Sequence, residues 1–124
     1  MPVPRITKEE LRERLDAADA SARPTVVDAR LKYPYEHSFV RLPGAIRVVP
    51  DALDTSSIPT GREIVVYDSD PDEITSRRVA AELIRRGRRA TALKGGIGEW
   101  VTANFPVEPK NAAGPSTGAT GTSS

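Results

Sequence analysis

A chain of 124 residues with 38% hydrophobic and 28% charged side chains can close one core unaided, since ~100–200 residues make a domain. Its 18 Lys+Arg against 17 Asp+Glu leave a net charge of +1, which argues against capture of nucleic acid or membrane by bulk charge. With no cysteine and one histidine, a disulfide framework, a thiolate or multi-histidine metal site, an iron–sulfur cluster and a thiol nucleophile are all excluded.

No apolar run approaches the ~18 residues of a membrane span, and the N-terminal stretch lacks a signal-peptide apolar region, so a cytoplasmic domain is expected. Thr7-Lys8-Glu9-Glu10 reads as a capping box. Leu11, Leu15 and Ala18 follow on one face, predicting a helix to about Ala20, broken at Ser21–Pro24. Thr25–Asp28 has the look of a buried strand. Residues 31–44 read as loop with a helical turn, Ala45–Val49 as a strand, and Asp51–Leu53 as a short helical turn. Glu63–Tyr67 is the clearest strand. An acidic loop, Asp68–Glu73, leads into a helix from about Thr75 to Arg86, with Val79, Ala80, Leu83 and Ile84 as its apolar stripe and Gly87 at its C′ position. Ala90–Leu93 reads as a last strand, and Gly95-Gly96 opens a short helix through Trp100.

Residues 1–109 thus read as one domain. The tail 110–124 holds too little apolar surface to offset its ordering entropy and is expected to be disordered. Strands alternating with helices predict an α/β domain with a mostly parallel sheet. Ligands of such sheets sit beyond the carboxyl ends of the strands. Asp28 and Asp68 stand at two such ends.

A strand end, a tight loop and a helix N-terminus aim several backbone N–H groups at one point, which suits an anion. The loop here reads Asp68-Ser69-Asp70-Pro71-Asp72-Glu73, with four acids among six residues, and Pro71 has no N–H to contribute. At ~5–6 Å two like charges repel by about 3 kcal/mol in an effective dielectric of ~20, so an external anion is unwelcome. Asp68 either fills the amide cradle itself or caps the next helix. Asp72 and Glu73 are expected to act as caps, favouring the positive helix end.

Three separated segments resemble the rhodanese-homology domain. Val26-Val27-Asp28-Ala29-Arg30 is similar to its Asp-x-Arg strand end. Arg41-Leu42-Pro43-Gly44-Ala45-Ile46 is similar to its His-Ile-Pro-Gly-Ala-Ile, with Arg41 in the histidine position. Leu93-Lys94-Gly95-Gly96-Ile97-Gly98-Glu99-Trp100 resembles its closing Leu-x-Gly-Gly-Ile-x-x-Trp, and Phe105-Pro106-Val107 its Pro-Val ending. The resemblance covers about residues 5–109 and implies a three-layer α/β sandwich, a five-stranded parallel sheet flanked by helices.

In active members the loop after the central strand starts with cysteine, commonly Cys-x-x-Gly-x-Arg-Ser, and that thiol carries sulfur as a persulfide from donors such as thiosulfate. Here Asp68 stands at the cysteine, Pro71 at the glycine, Glu73 at the arginine and Ile74 at the serine. A bacterial variant resembling Cys-x-Cys-Pro-x-Glu-x-x-Ser fits better: Pro71, Glu73 and Ser76 match it, and Asp68 and Asp70 replace its two thiols. Persulfide transfer needs a polarizable thiolate that attacks and then releases sulfur, which a carboxylate cannot do. Cys-based phosphatase chemistry fails on the same ground.

The expected function is a catalytically inactive module that binds a protein partner or serves a regulatory or structural part. Its acidic loop suits a basic peptide, with Asp28, Arg30, Asp68 and Asp70 as candidate binding residues and no cofactor, metal, nucleic acid or membrane. The alternative is Mg²⁺-dependent phosphoryl transfer, or phosphoacceptance, on Asp68, since Asp68-Ser69-Asp70 resembles the Asp-x-Asp of Asp-dependent phosphatases. Among the remaining residues, Asp28 and Arg30 are expected to tie strand end to loop, and Trp100 to pack in the core. Arg77, Arg78, Arg85, Arg86, Arg88 and Arg89 are expected to form a solvated face, and His37 to lie on the surface without a partner.

Overall fold

The computed structural model describes residues 3–110. In chain order it holds β1 (Arg5–Ile6), α1 (Lys8–Leu15), β2 (Thr25–Asp28), α2 (Lys32–Glu36), β3 (Val40–Arg41), β4 (Ile46–Arg47), β5 (Ile64–Tyr67), α3 (Ile74–Arg85), β6 (Ala90–Leu93), α4 (Gly96–Thr102) and β7 (Glu108–Pro109). Five strands form a parallel sheet in the order β1-β6-β5-β2-β4, while β3 and β7 pair antiparallel beside it. Every residue of β2, β5 and β6 is buried. That is why these segments are unbroken small or apolar runs rather than alternating ones: both faces of a parallel sheet are covered.

The two-residue period of a strand divides the core into two layers. Val26, Val65, Tyr67 and Leu93 face Leu11 of α1 and Ile97 and Trp100 of α4. Val27, Ile64 and Val66 face Val79, Ala80 and Leu83 of α3. Trp100 is buried, packs edge-on against Phe105 and donates its indole N–H to the Pro106 carbonyl at 2.7 Å. Among the described residues, no helix is long and apolar enough to cross a membrane.

The predicted elements are present, with corrected ends. The capping box at Thr7 and Glu10 forms, but α1 stops at Leu15 instead of Ala20. Ala18 is exposed and gains nothing from a further turn, and Asp19 accepts from the Ser21 amide to start a separate 3-10 turn at Ala20–Ala22. The predicted strand Ala45–Val49 shrinks to β4, because Ala45 bonds back into the Pro43-Gly44 turn and Val49 points to solvent. In place of a helical turn at Asp51–Leu53, the structure holds a hydrogen-bonded turn over residues 49–52. By contrast α3 ends as read. Gly87 takes φ +85°, its amide bonds to the Ile84 carbonyl and the Arg88 amide to Leu83, a Schellman closure. Of the polar tail, Lys110 is described and bonds to Phe39; the rest lies outside the described residues.

Two glycines of α4 have opposite demands. At Gly96, with φ +64°, a Cβ would lie 2.5 Å from the Asp68 carbonyl oxygen; at Gly98 it would meet nothing within 4 Å. Gly96→Ala is therefore expected to destabilise by about 2 kcal/mol or more, from overpacking and left-handed strain. Gly98→Ala is expected to stabilise by up to ~1 kcal/mol through lost chain entropy. Urea unfolding of the two variants checks the opposite signs.

Candidate functional site

β5 delivers Asp68 to the carboxyl edge of the sheet, and α3 starts six residues later. The side chain folds back into its own loop. Its Oδ1 accepts from the Asp70 amide at 3.0 Å and its Oδ2 from the Ser76 amide at 2.7 Å. Ser76 lies in the first turn of α3, so one carboxylate both fills the loop cradle and caps the helix. Asp68 is 1% exposed. Burial pushes its carboxyl above the ordinary range, the two amides pull the other way, and nearby Asp70 adds to the rise.

Two further loop amides are engaged. Asp72 donates to the Asp70 carboxylate at 2.9 Å and Glu73 to the Asp70 carbonyl at 3.0 Å.

Glu73 corrects its expected role. It occupies the N-cap position with φ +55° but makes no capping bond. Its buried carboxylate instead receives Arg5 Nε at 2.6 Å, Arg5 Nη2 at 3.0 Å and the Gly95 amide at 3.1 Å. Burial alone would raise this carboxyl, but the guanidinium and the amide outweigh it and hold Glu73 below its usual value. Asp72 is exposed, and among the described residues its side chain makes no bond to α3. Both edges of the loop are thus stitched to the start of α4: Gly95 holds Glu73, and the Ile97 amide donates to the Asp68 carbonyl at 2.9 Å.

Asp28 and Arg30 form a separate buried pair. The guanidinium meets Asp28 Oδ2 at 2.7 Å, donates to the Val40 carbonyl at 3.1 Å and lies over the rings of Tyr35 and Tyr67. The pair ties the end of β2 to β3, and among the described residues no hydrogen bond joins it to Asp68. Of the four expected binding residues, only Asp70 reaches solvent, and only in part. The surface of the loop is Ser69, Pro71 and Asp72, with Asp70 between them.

The arginines on and just past α3 are mostly engaged locally: Arg78 with Asp51 at 3.0 Å, Arg85 and Arg86 with Glu82, Arg77 with the Asp72 carbonyl, and Arg88 with the Pro59 carbonyl. Arg41 pairs with Glu108 at 2.8 Å and so pins β3 to β7. His37 is exposed, as expected, but does have a partner. It stacks on Tyr33, and its Nδ1 lies 3.0 Å from the Tyr33 carbonyl.

Sequence reasoning missed Arg5. Nothing in local spacing links positions 5 and 73; the only signal is that a buried loop acid demands a cation. It also missed a cleft of about 500 Å³ between the loop and α4, lined by Lys8, Ser69, Pro71, Gly95, Gly98 and Glu99 among others.

A family model described as the rhodanese-like domain matches residues 7–103, and the chain belongs to that family. The BH2092 protein from Bacillus halodurans superposes with a TM-score of 0.72 at 23% identity, over 85% of this chain and 76% of that one. The Alr3790 protein from Anabaena sp. gives 0.64 at 27% identity, over 83% and 81%. A thiosulfate sulfurtransferase from Pseudomonas aeruginosa gives 0.68 at 24% identity, over 96% of this chain but 21% of that longer protein. No curated protein matches the chain. Fold and family are therefore those of the rhodanese-like domain, while the absence of cysteine leaves no thiol to carry sulfur.

The Arg5–Glu73 contact carries a pH signature. Because Glu73 is held below its unfolded value, its contribution is present above that value and is lost as pH falls through the folded one. Arg5→Ala is expected to lower the melting temperature most near neutrality. The gap to the wild type should close toward pH 3–4, roughly below the ordinary glutamate pKa of ~4.3. Thermal melts across pH check this; a gap independent of pH contradicts it.

Proposed function

We propose that this chain is a catalytically silent rhodanese-like module, a protein-binding or regulatory domain in which the former sulfur-transfer loop has become a rigid surface element. The observation that carries the reading is the Asp68 carboxylate seated on the Asp70 and Ser76 amides. In the family's chemistry such amides stabilise the negative charge of a sulfur nucleophile and its incoming anion. Here a built-in oxygen anion takes that place, and it can neither accept nor release sulfur.

The same geometry weighs against phosphoryl transfer. An acceptor carboxylate needs a lone pair open to an in-line phosphorus, yet Asp68 is buried and both of its oxygens accept N–H bonds. Mg²⁺ would also need neighbouring ligands, and among the described residues no group of three His, Cys, Asp or Glu side chains is placed to hold a metal.

The wild-type chain is expected to convert thiosulfate and cyanide to thiocyanate no faster than a buffer blank. Asp68→Cys is expected to gain turnover, because its thiolate inherits the two amides. Wild-type turnover overturns the proposal. A silent Asp68→Cys variant that still melts cooperatively overturns the claim that Asp68 fills the sulfur cradle. A hydroxylamine-sensitive label from acetyl phosphate, lost in Asp68→Asn, would favour the acceptor reading instead.

A further inference from the structure

We propose that the cleft at the amino ends of β2 and β4 binds a small organic acid, its carboxylate on Arg23 and Arg62 and its apolar body against Leu15 and Ile46. The inference goes beyond the reading above and does not rest on it.

The first observation is charge. The cleft, of about 360 Å³, is lined by two cations, Arg23 and Arg62, and by no acid. Arg23 donates Nε to the Ala17 carbonyl at 2.8 Å, and Arg62 donates Nη1 to the Arg23 carbonyl at 3.2 Å. A carbonyl takes an N–H without cancelling the charge, and each guanidinium has five N–H groups to give. Among the described residues neither arginine forms an ion pair. Asp19 feels the charge of both, but its carboxylate is occupied by the Ser21 amide at 2.9 Å and the Ser21 hydroxyl at 2.7 Å. Glu63, just ahead of β5, pairs with Arg14 at 2.6 Å. Two neighbouring cations on one cleft are thus left without a bound counterion. A carboxylate that accepts from both supplies it, in the geometry a guanidinium fork prefers.

The second is surface. The other walls are mainly apolar: Leu15 where α1 stops, Pro24 ahead of β2, Pro43, and Ile46 on the outer strand β4. Leu15 and Ile46 are only half-buried. An apolar body laid against them removes that surface from water, which a bare inorganic anion cannot do. The lining holds no aromatic ring on which a nucleobase could stack. Its volume falls at the small end of the ~300–1,000 Å³ of ordinary ligand clefts.

The third is rigidity. Both guanidiniums are held by backbone carbonyls, Pro24 and Pro43 have fixed φ, and the Thr25 amide is bonded to the Glu63 carbonyl at 2.9 Å. The walls therefore need little ordering when a ligand arrives. The cleft lies at the opposite end of the parallel sheet from the 68–73 loop, so occupancy of one leaves the other free.

The test titrates the isotope-labelled full chain with phenylacetate and with hexanoate, following backbone amide and arginine Nε–H resonances. Both acids are expected to bind with a Kd of about 1 mM or tighter. Shifts should centre on Leu15, Thr25 and Ile46 and on the Nε–H of Arg23 and Arg62. Phenylacetamide and hexanamide, which lack the charge, and acetate and inorganic phosphate, which lack the body, should bind about tenfold more weakly or worse. Arg62→Gln and Arg23→Gln should each weaken the acids about tenfold. Arg89→Gln, which removes a charge outside the cleft lining, should change binding by no more than about twofold. Thermal melting confirms that each variant folds, and Arg62→Gln keeps the test intact if Arg23→Gln does not.

The absence of saturable shifts with either acid, shifts centred on another face, or acids indifferent to both cleft variants overturns the site. Neutral amides or phosphate binding as tightly as the acids overturns the pairing of a charged head with an apolar body. A short peptide ending in a free leucine carboxylate that binds more than about tenfold tighter than hexanoate overturns the small-acid occupant in favour of a partner's chain end. Thiosulfate turnover bears only on the reading above.

Discussion

The carboxylate of Asp68, held between the amides of Asp70 and Ser76 at 3.0 and 2.7 Å, is the contact around which this end of the molecule is organised. It satisfies an N–H of the α3 start that would otherwise be left without a partner. It also closes the tight turn after β5. The burial of that charge is costly, as the upward push on its carboxyl indicates, and the amides offset much of the penalty. One substitution thus has a structural and a chemical consequence at once. The loop is capped from within, and no thiol stands at its first position.

Around it the other acids divide by environment. Glu73 is turned inward to Arg5 and Gly95, so a strand at the sheet's edge and the start of α4 both hold the loop. Asp70 and Asp72 stay toward solvent. Four acids that look alike on paper therefore fall into two buried anchors and two surface charges. Only the second pair is presented to solvent. That halves the surface charge the loop offers, while on its flank Glu9 and Glu99 share Lys8.

Pro71, Glu73 and Ser76, which match the Cys-x-Cys-Pro-x-Glu-x-x-Ser variant in sequence, have clear places in three dimensions. Pro71 lines the cleft, Glu73 bonds Arg5 and Gly95, and the Ser76 amide receives Asp68. The loop agrees with that variant in everything except its thiols. The commoner Cys-x-x-Gly-x-Arg-Ser pattern has no such agreement, since Glu73 lies where it has arginine.

By itself the sequence determined the layers, the order of the main elements and the chemistry that is unavailable. Unbroken apolar runs at Val26-Val27 and Ile64–Tyr67 require a sheet covered on both faces, the capping box and Gly87 mark helix ends by local hydrogen bonding, and a missing thiol needs no geometry to exclude. These signals are short-range or compositional. What only the tertiary structure decided is which acids are inside: whether a carboxylate meets solvent or an amide depends on what the fold brings from far along the chain. Arg5 reaches Glu73 across 68 positions, and Ile97 reaches Asp68. The end of α1 falls short of the predicted Ala20 for the same reason, because Ala18 has the right spacing but no surface to pack against.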